Sequence, residues 1–359
     1  MRVSQDSSPC DIVRVGVFPG DGVGPELTSI CVRILRQLGD RFSFAVEIET
    51  GGPIGLEARK ACGTDLPLAA VELASRIFAA GGAILAGAGG GRFVYEMRRH
   101  FGLYLKLNPL RSFRGAVHGR APFDVVIARD NSEGLYQGVS EKIVGDGAPI
   151  VRHTFQASLA AAKAVTDAAA RLAAGRRGRL TIVAKDSGLP AITEVWQEAG
   201  RQSAHLHDVQ MEYLDIDFAC YKLVREPHAF DVVAAPNCFG DILSDLGGIV
   251  MGSRGVTYGA SYDARGNAVY QTNHGSALDL IGRGVANPAG QILSLAMMLR
   301  ETFGRRHEAT LVEQTLESTW LEGYHTADMD CQGPTTPCGT ERFVERVEHH
   351  LRQFCESAS

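Results

Sequence analysis

The sequence predicts an α/β protein with a largely parallel sheet, organised as two units. Three observations carry this expectation. Apolar strand-like runs alternate with amphipathic helical stretches from the first residues of the fold onward, the βαβ pattern of a parallel sheet. The 359 residues exceed the size at which one core usually stops growing. The pattern also changes near residue 105, where a second run of strands and helices begins.

Taken in order, "IVRVGVFPGDGVGPELTSICVRILRQL" reads as a buried strand, a glycine turn and an amphipathic helix. Pro25 opens that helix and Glu26 suits its positive end. "FSFAVEIETGG" is a second strand, and "PLAAVELASRIFAAGGAILAGAGGG" a helix followed by a short buried strand. "APFDVVIARDNSEGLYQG" is a strand entering a turn, and "SLAAAKAVTDAAARLAAGRRG" a long alanine-rich helix ended by glycine and arginines. "RLTIVAKD", "HDVQMEYLDI" and "FDVVAAPN" are strands, with the helix "PAITEVWQEAG" after the first of them. Beyond Gly252 come a glycine-rich loop, a strand near Ala268–Gln271, the loop "TNHGSALDLIGRGVANP" and the helix "AGQILSLAMMLRETF". The last third is expected to return to the first unit.

Composition narrows the function. A formal charge of −5 offers no electrostatic reason for nucleic acid or an anionic membrane as partner. No run of 18 apolar residues exists to span a bilayer, and the start lacks a basic segment followed by an apolar one, so a cytoplasmic protein is expected. The eight cysteines form no C-x-x-C pair. Even the neighbours Cys331 and Cys338 read as reduced thiols.

The stretch "PNCFGDILSD" carries the most chemistry. Asp241, Ser244 and Asp245 share one stripe of a helix, and Phe239, Ile242, Leu243 and Leu246 the opposite one. Two like charges four residues apart need a positive partner, bulk water or a metal ion. Asp215 and Asp217, in "YLDID", add carboxylates at a strand end, and hard oxygen ligands suit Mg²⁺ or Mn²⁺. "GDGVGPE" is not the G-x-G-x-x-G of a dinucleotide loop and reads equally as a tight turn or a ligand loop. Arg98, Arg129 and Tyr136 taken singly read as structural. Lys185, directly after an apolar strand, is a candidate for a lowered pKa.

Together these stretches resemble the metal-dependent β-decarboxylating dehydrogenases, the isocitrate, isopropylmalate, homoisocitrate and tartrate enzymes, from about Val13 to His350. "NCFGDILSDLGGIVMGSRG" and "NHGSALDLIGRGVANPAGQILSLAMMLR" are the most specific elements. The resemblance implies a two-domain fold with an interdomain cleft, 1–104 plus 253–359 forming a large cofactor-binding domain and 105–252 a small dimerisation domain. It implies that Asp215, Asp241 and Asp245 bind Mg²⁺ or Mn²⁺, that Arg98 and Arg129 clamp a substrate carboxylate, and that Tyr136 and Lys185 are catalytic acid and base. His274, Gly275, Ser276, Ala277 and Asn287 match the adenosine-side loop. Asp279 matches the acid on the ribose hydroxyls, favouring NAD over NADP. Lys185 and Asp215 are implied to come from a partner subunit, so a homodimer with shared sites is expected. The implied reaction is oxidative decarboxylation of a 3-substituted (2R)-malate.

This chain departs from the pattern at four places. Asn108 stands where a second clamping arginine is usual, with Lys106 and Arg111 nearby. Arg92, Val94 and Tyr95 replace leucines that face an isopropyl group, which points to an anionic or polar C3 substituent, with Arg92 as its contact or else a surface arginine. Ser187 replaces an asparagine near the nicotinamide, and Gln271 an acid before the cofactor loop. The competing expectations are a non-catalytic regulatory subunit of a hetero-oligomeric dehydrogenase, and a metal-dependent phosphotransferase or hydrolase using "GDGVG" to cradle phosphate.

Overall fold

The structure, a computed structural model, describes residues 9–117, 121–145, 148–329 and 335–357. The first unit opens with strand β1 (Ile12–Phe18), helix α1 (Gly24–Phe42) and strand β2 (Ala45–Thr50). Helices α2 (Gly55–Cys62) and α3 (Leu68–Ala79), strand β3 (Ala83–Ala86) and helix α4 (Phe93–Phe101) follow. The chain then crosses in β4 (Leu105–Arg111) and β5 (Asp124–Asp130) to a hairpin of β6 (Val139–Gly145) and β7 (Ala148–Thr154). Next come α5 (Leu159–Ala174), β8 (Arg179–Ala184), α6 (Pro190–His207), β9 (Gln210–Asp215), α7 (Ile216–Arg225), β10 (Val232–Ala235) and α8 (Asn237–Met251). Strands β11 (Tyr258–Tyr262) and β12 (Ala268–Thr272) lead to α9 (Ala289–Glu301), α10 (Arg306–Leu321) and α11 (Thr340–Ser357).

One ten-stranded sheet organises everything, in the order β2-β1-β3-β12-β11-β4-β5-β10-β8-β9. Its first five strands come from the two ends of the described chain and its last five from the middle. Both flanks are parallel, and the join is antiparallel: β11 runs against β12 and β4, and β4 against β5. Helix α9 is buried from Ala289 to Leu299, as expected of a helix that is apolar on every side.

Several elements lie outside the sequence expectation. The β6–β7 hairpin has no buried face, so no alternation announces it, and β7 is exposed along its whole length. Helices α2, α4, α7, α10 and α11 and strands β4 and β11 were likewise not anticipated. Among the described residues no helix is long and apolar enough to cross a membrane. No disulfide joins the described cysteines, Cys338 among them, and Cys331 lies outside the described residues.

The stripe assignment on α8 needs correcting. Ser244 is buried and Ile242 and Ile249 are exposed. The helix packs instead through Gly240, Leu243, Gly247 and Val250, because two glycines let its backbone settle directly on the sheet. A Cβ at Gly240 would lie 2.7 Å from Arg129 Cγ, and one at Gly247 2.2 Å from Leu110.

Candidate active site and cofactor pocket

The cationic side of the candidate site begins with strand register. Lys106 on β4 sits directly opposite Arg129 on β5, and antiparallel partners project to the same face of a sheet. Helix α8 crosses that face. Arg129, 2% exposed, donates through Nη1 to Asp241 Oδ1 and through Nη2 to Asn237 Oδ1 at 3.4 Å. Helix α4 adds Tyr95 and Arg98, three residues apart on one face. The Arg98 and Arg92 guanidiniums lie 5.4 and 5.2 Å from the Tyr95 ring, and that of Arg129 5.6 Å from the Tyr136 ring. The two tyrosines meet edge to face at 6.1 Å.

This cluster carries an excess of buried positive charge. Burial, then the neighbouring Arg129, brings Arg98 down to about 9. Burial, then Arg98 and Arg129, pushes Lys106 well below the usual lysine range, with Asp241 and Asp245 opposing. The Nε atoms of Arg98 and Arg129 are buried without a partner. Tyr136, in a short turn after β5, accepts from Cys238 Sγ at 3.5 Å, and burial first, then this contact, raises its phenol.

Asn108 is placed differently from expectation. It is fully buried, and its Nδ2 donates to Asn273 Oδ1 at 2.7 Å and to the Tyr258 carbonyl at 3.4 Å. Its donor is therefore spent inside the sheet, and the remaining Oδ1 is an acceptor, the wrong polarity for a carboxylate. Arg111 is engaged by Glu313 at 3.0 Å. Arg92 caps α4 with its side chain exposed, and Val94 packs into the second apolar core.

The acids separate into two groups. Asp241 and Asp245 stand one turn apart on α8, compensated by Arg129 and by Arg254, the latter at 3.0 Å from Asp245. Asp215, the last residue of β9, takes Lys185 Nζ at 3.1 Å, and Asp217 takes it at 2.9 Å. Among the described residues no three acidic, histidine or cysteine side chains converge to hold a metal. The donor set is all carboxylate oxygen, the chemistry Mg²⁺ and Mn²⁺ prefer. Within one chain, though, Asp215 does not join the pair on α8. Lys185 also departs from expectation: the hydrogen bonds it donates to Asp217 and Asp215 raise its pKa rather than lower it.

The second site is a cavity of about 580 Å³ lined by His274, Gly275, Ala277, Asp279 and Asn287, with Val23 and Leu27 of the first turn and helix as its apolar wall. Ser276 anchors the loop to the first turn. Its carbonyl accepts from Val23 N at 3.0 Å, and a Cβ at Gly22 would come within 1.8 Å of it. Asp21 N is bonded to the Ala88 carbonyl and Gly24 N to Asp21 O, so those donors of "GDGVG" are spent within the fold. Ala277 adopts a left-handed φ of 45°, unusual for a residue with a Cβ. The Asp279 side chain projects exposed at the rim, and burial lowers the pKa of His274. Asn287 Oδ1 accepts from Ala289 N at 3.0 Å while its Nδ2 donates to Asp328 at 3.1 Å. Asp328, which also accepts from Ser253, was missed: it follows the last motif and no periodicity marks it. The volume falls within the usual range for small-molecule and cofactor pockets, and the free acid at its rim suits a ribose.

Comparison with known proteins identifies the family and the fold. The isocitrate/isopropylmalate dehydrogenase family model matches residues 14–347. The 3-isopropylmalate dehydrogenase of Priestia megaterium is 34% identical over 93% of this chain and 94% of its own, and that of Aquifex aeolicus 31% over 95% and 98%. The crystal structure of isocitrate dehydrogenase from Methylococcus capsulatus superposes with a TM-score of 0.85 at 29% identity, covering 95% of this chain and all (100%) of that one. The chain belongs to the isocitrate/isopropylmalate dehydrogenase family and is an NAD-dependent decarboxylating dehydrogenase that uses Mg²⁺ or Mn²⁺.

Proposed function

We propose that this chain works as a cytoplasmic homodimer that oxidatively decarboxylates a 3-substituted (2R)-malate whose C3 substituent is anionic or polar. The observation that carries the substituent is the wall offered by α4: Arg92, Tyr95 and Arg98 stand together beside Tyr136, while Val94 turns into the core. An isopropyl group would leave the exposed Arg92 guanidinium without a role.

In this reading NAD⁺ would be held by the pocket of His274, Ala277, Asp279 and Asn287 and would supply the hydride acceptor, and a divalent cation would be held by Asp241, Asp245 and a partner's copy of Asp215 and would supply Lewis acidity. Arg98 and Arg129 hold a substrate carboxylate in paired, charge-assisted hydrogen bonds. Lys185 takes the hydroxyl proton as the C2 alcohol becomes a ketone. A lysine held by two carboxylates stays protonated, so its work as a base requires that Asp215 and Asp217 release it in the assembled site. The C3–carboxylate bond then breaks, CO₂ leaves, and Tyr136 delivers its proton to C3. The two domains follow the sheet, 1–104 with 253–359 and 105–252, and the cleft lies at their join.

Dimerisation is supported by apolar surface beside the acids. Ile242, Asp245 and Ile249 share the exposed face of α8, and Phe218 and Tyr221 of the adjacent α7 stack 6.4 Å apart in solvent. The hairpin exposes Val139, Val144 and Val151, and an isolated two-stranded ribbon is marginal without a partner.

The test is NADH formation with Mn²⁺ on malates carrying isopropyl, carboxymethyl, carboxyethyl, hydroxyl or phosphonomethyl groups at C3. We expect one anionic or polar member to be preferred, and Arg92→Ala to lower kcat/KM for it by roughly 10- to 100-fold while sparing isopropylmalate. Preference for isopropylmalate, with Arg92→Ala indifferent to every member, would sink the substituent reading.

A further inference from the structure

We infer that Lys106 is a substrate-binding residue, the third cation that holds the carboxylate between Arg98 and Arg129. This rests on the dehydrogenase reading above and adds a residue to it. Lys106 lies in the middle of β4, in register with Arg129 and on the sheet face that α8 covers. It is 5% exposed, and among the described residues it forms no ion pair. Arg129 is its direct cross-strand neighbour, and Arg98, likewise 5% exposed, joins Arg129 around the Tyr95–Tyr136 ring pair.

Three buried cations against one contacting carboxylate, Asp241, is an arrangement that folding alone does not favour. An incoming carboxylate removes the imbalance, and the unpartnered Nε atoms of Arg98 and Arg129 point to the same missing acceptor. No other residue nearby fills the third position. Asn108, two residues along the same face, has spent its donor on Asn273, and Arg111 is held by Glu313. A lysine suits this place on the strand because its charge sits at the tip of a flexible stem and needs no fixed plane.

The experiment compares the full-length parent with Lys106→Met and Lys106→Gln, using Mn²⁺ and the panel member the parent oxidises best, with KM for that malate and for NAD⁺ measured separately. We expect both variants to raise the malate KM roughly 10- to 100-fold and to leave the NAD⁺ KM within about threefold. A malate KM unchanged in either folded variant overturns the assignment. So does an equal rise in both KM values, or loss of folding in both variants, since either makes Lys106 a packing residue. A parent that oxidises no member of the panel overturns the dehydrogenase reading itself, and this inference falls with it.

Discussion

Lys185 and Asp215 are joined to each other, Nζ to Oδ2 at 3.1 Å, across the β8–β9 edge of the sheet. Arg129 and Asp241 are joined to each other at the end of β5, and β10 stands between the two pairs. In the proposed homodimer each chain would contribute one of these pairs to each of two sites.

A prediction follows from this separation. Lys185→Met and Asp241→Asn homodimers should each fall to less than about a hundredth of parent activity, as expected for loss of a proton-transfer or charge-holding group. Mixed and refolded together, they should recover up to about a quarter, because half the dimers are hybrids with one intact site of two. Sedimentation and NADH formation on the mixture check it. No recovery in a confirmed hybrid would mean that each chain completes its own site.

The cofactor pocket makes a second prediction. The Asp279 side chain takes no hydrogen bond from any described residue and projects exposed from the rim of the cavity. Asp279→Ala should raise the NAD⁺ KM by roughly tenfold and narrow the preference over NADP⁺, since a carboxylate both binds ribose hydroxyls and repels a 2′-phosphate. Steady-state kinetics with both cofactors decide this. A variant with unchanged cofactor discrimination would remove Asp279 from the ribose site.

A third prediction concerns pH and stability. Asp130, at the end of β5, is buried, and burial raises its pKa despite hydrogen bonds from the Ser132 hydroxyl and the Ser132 and Glu133 amides. The folded carboxyl thus binds its proton more tightly than the unfolded one. Its contribution to stability is full below the ordinary carboxylate range and is lost as pH rises through the folded value. Asp130→Asn lacks that loss. The difference in Tm between variant and parent should shift in favour of the variant between pH 4 and pH 7, by calorimetry, and an opposite slope would refute the assignment.

Much of the site was legible before the fold. The aspartates of "GDILSD", the loop "HGSALD" and the lysine after "LTIVA" are local patterns: the lysine directly follows β8 and the loop follows β12, while Asp241 and Asp245 lie within α8 rather than at its start. Asp328 was not legible, because its link to Asn287 spans 41 positions without a motif. The apolar side of α8 was misjudged for a related reason. Periodicity shows which residues share a face, but not that Ile242 and Ile249 would face outward while Gly240 and Gly247 face the sheet.

The sequence by itself determined the alternating α/β elements, the family and the residue types that carry the chemistry, because these follow from short-range spacing and apolar patterning. Only the tertiary structure decided which side chains meet. It put Lys106 beside Arg129, gave the donor of Asn108 to Asn273, and parted Asp215 from Asp241. Strand order and register between segments distant in sequence are set by long-range packing, which no local spacing encodes.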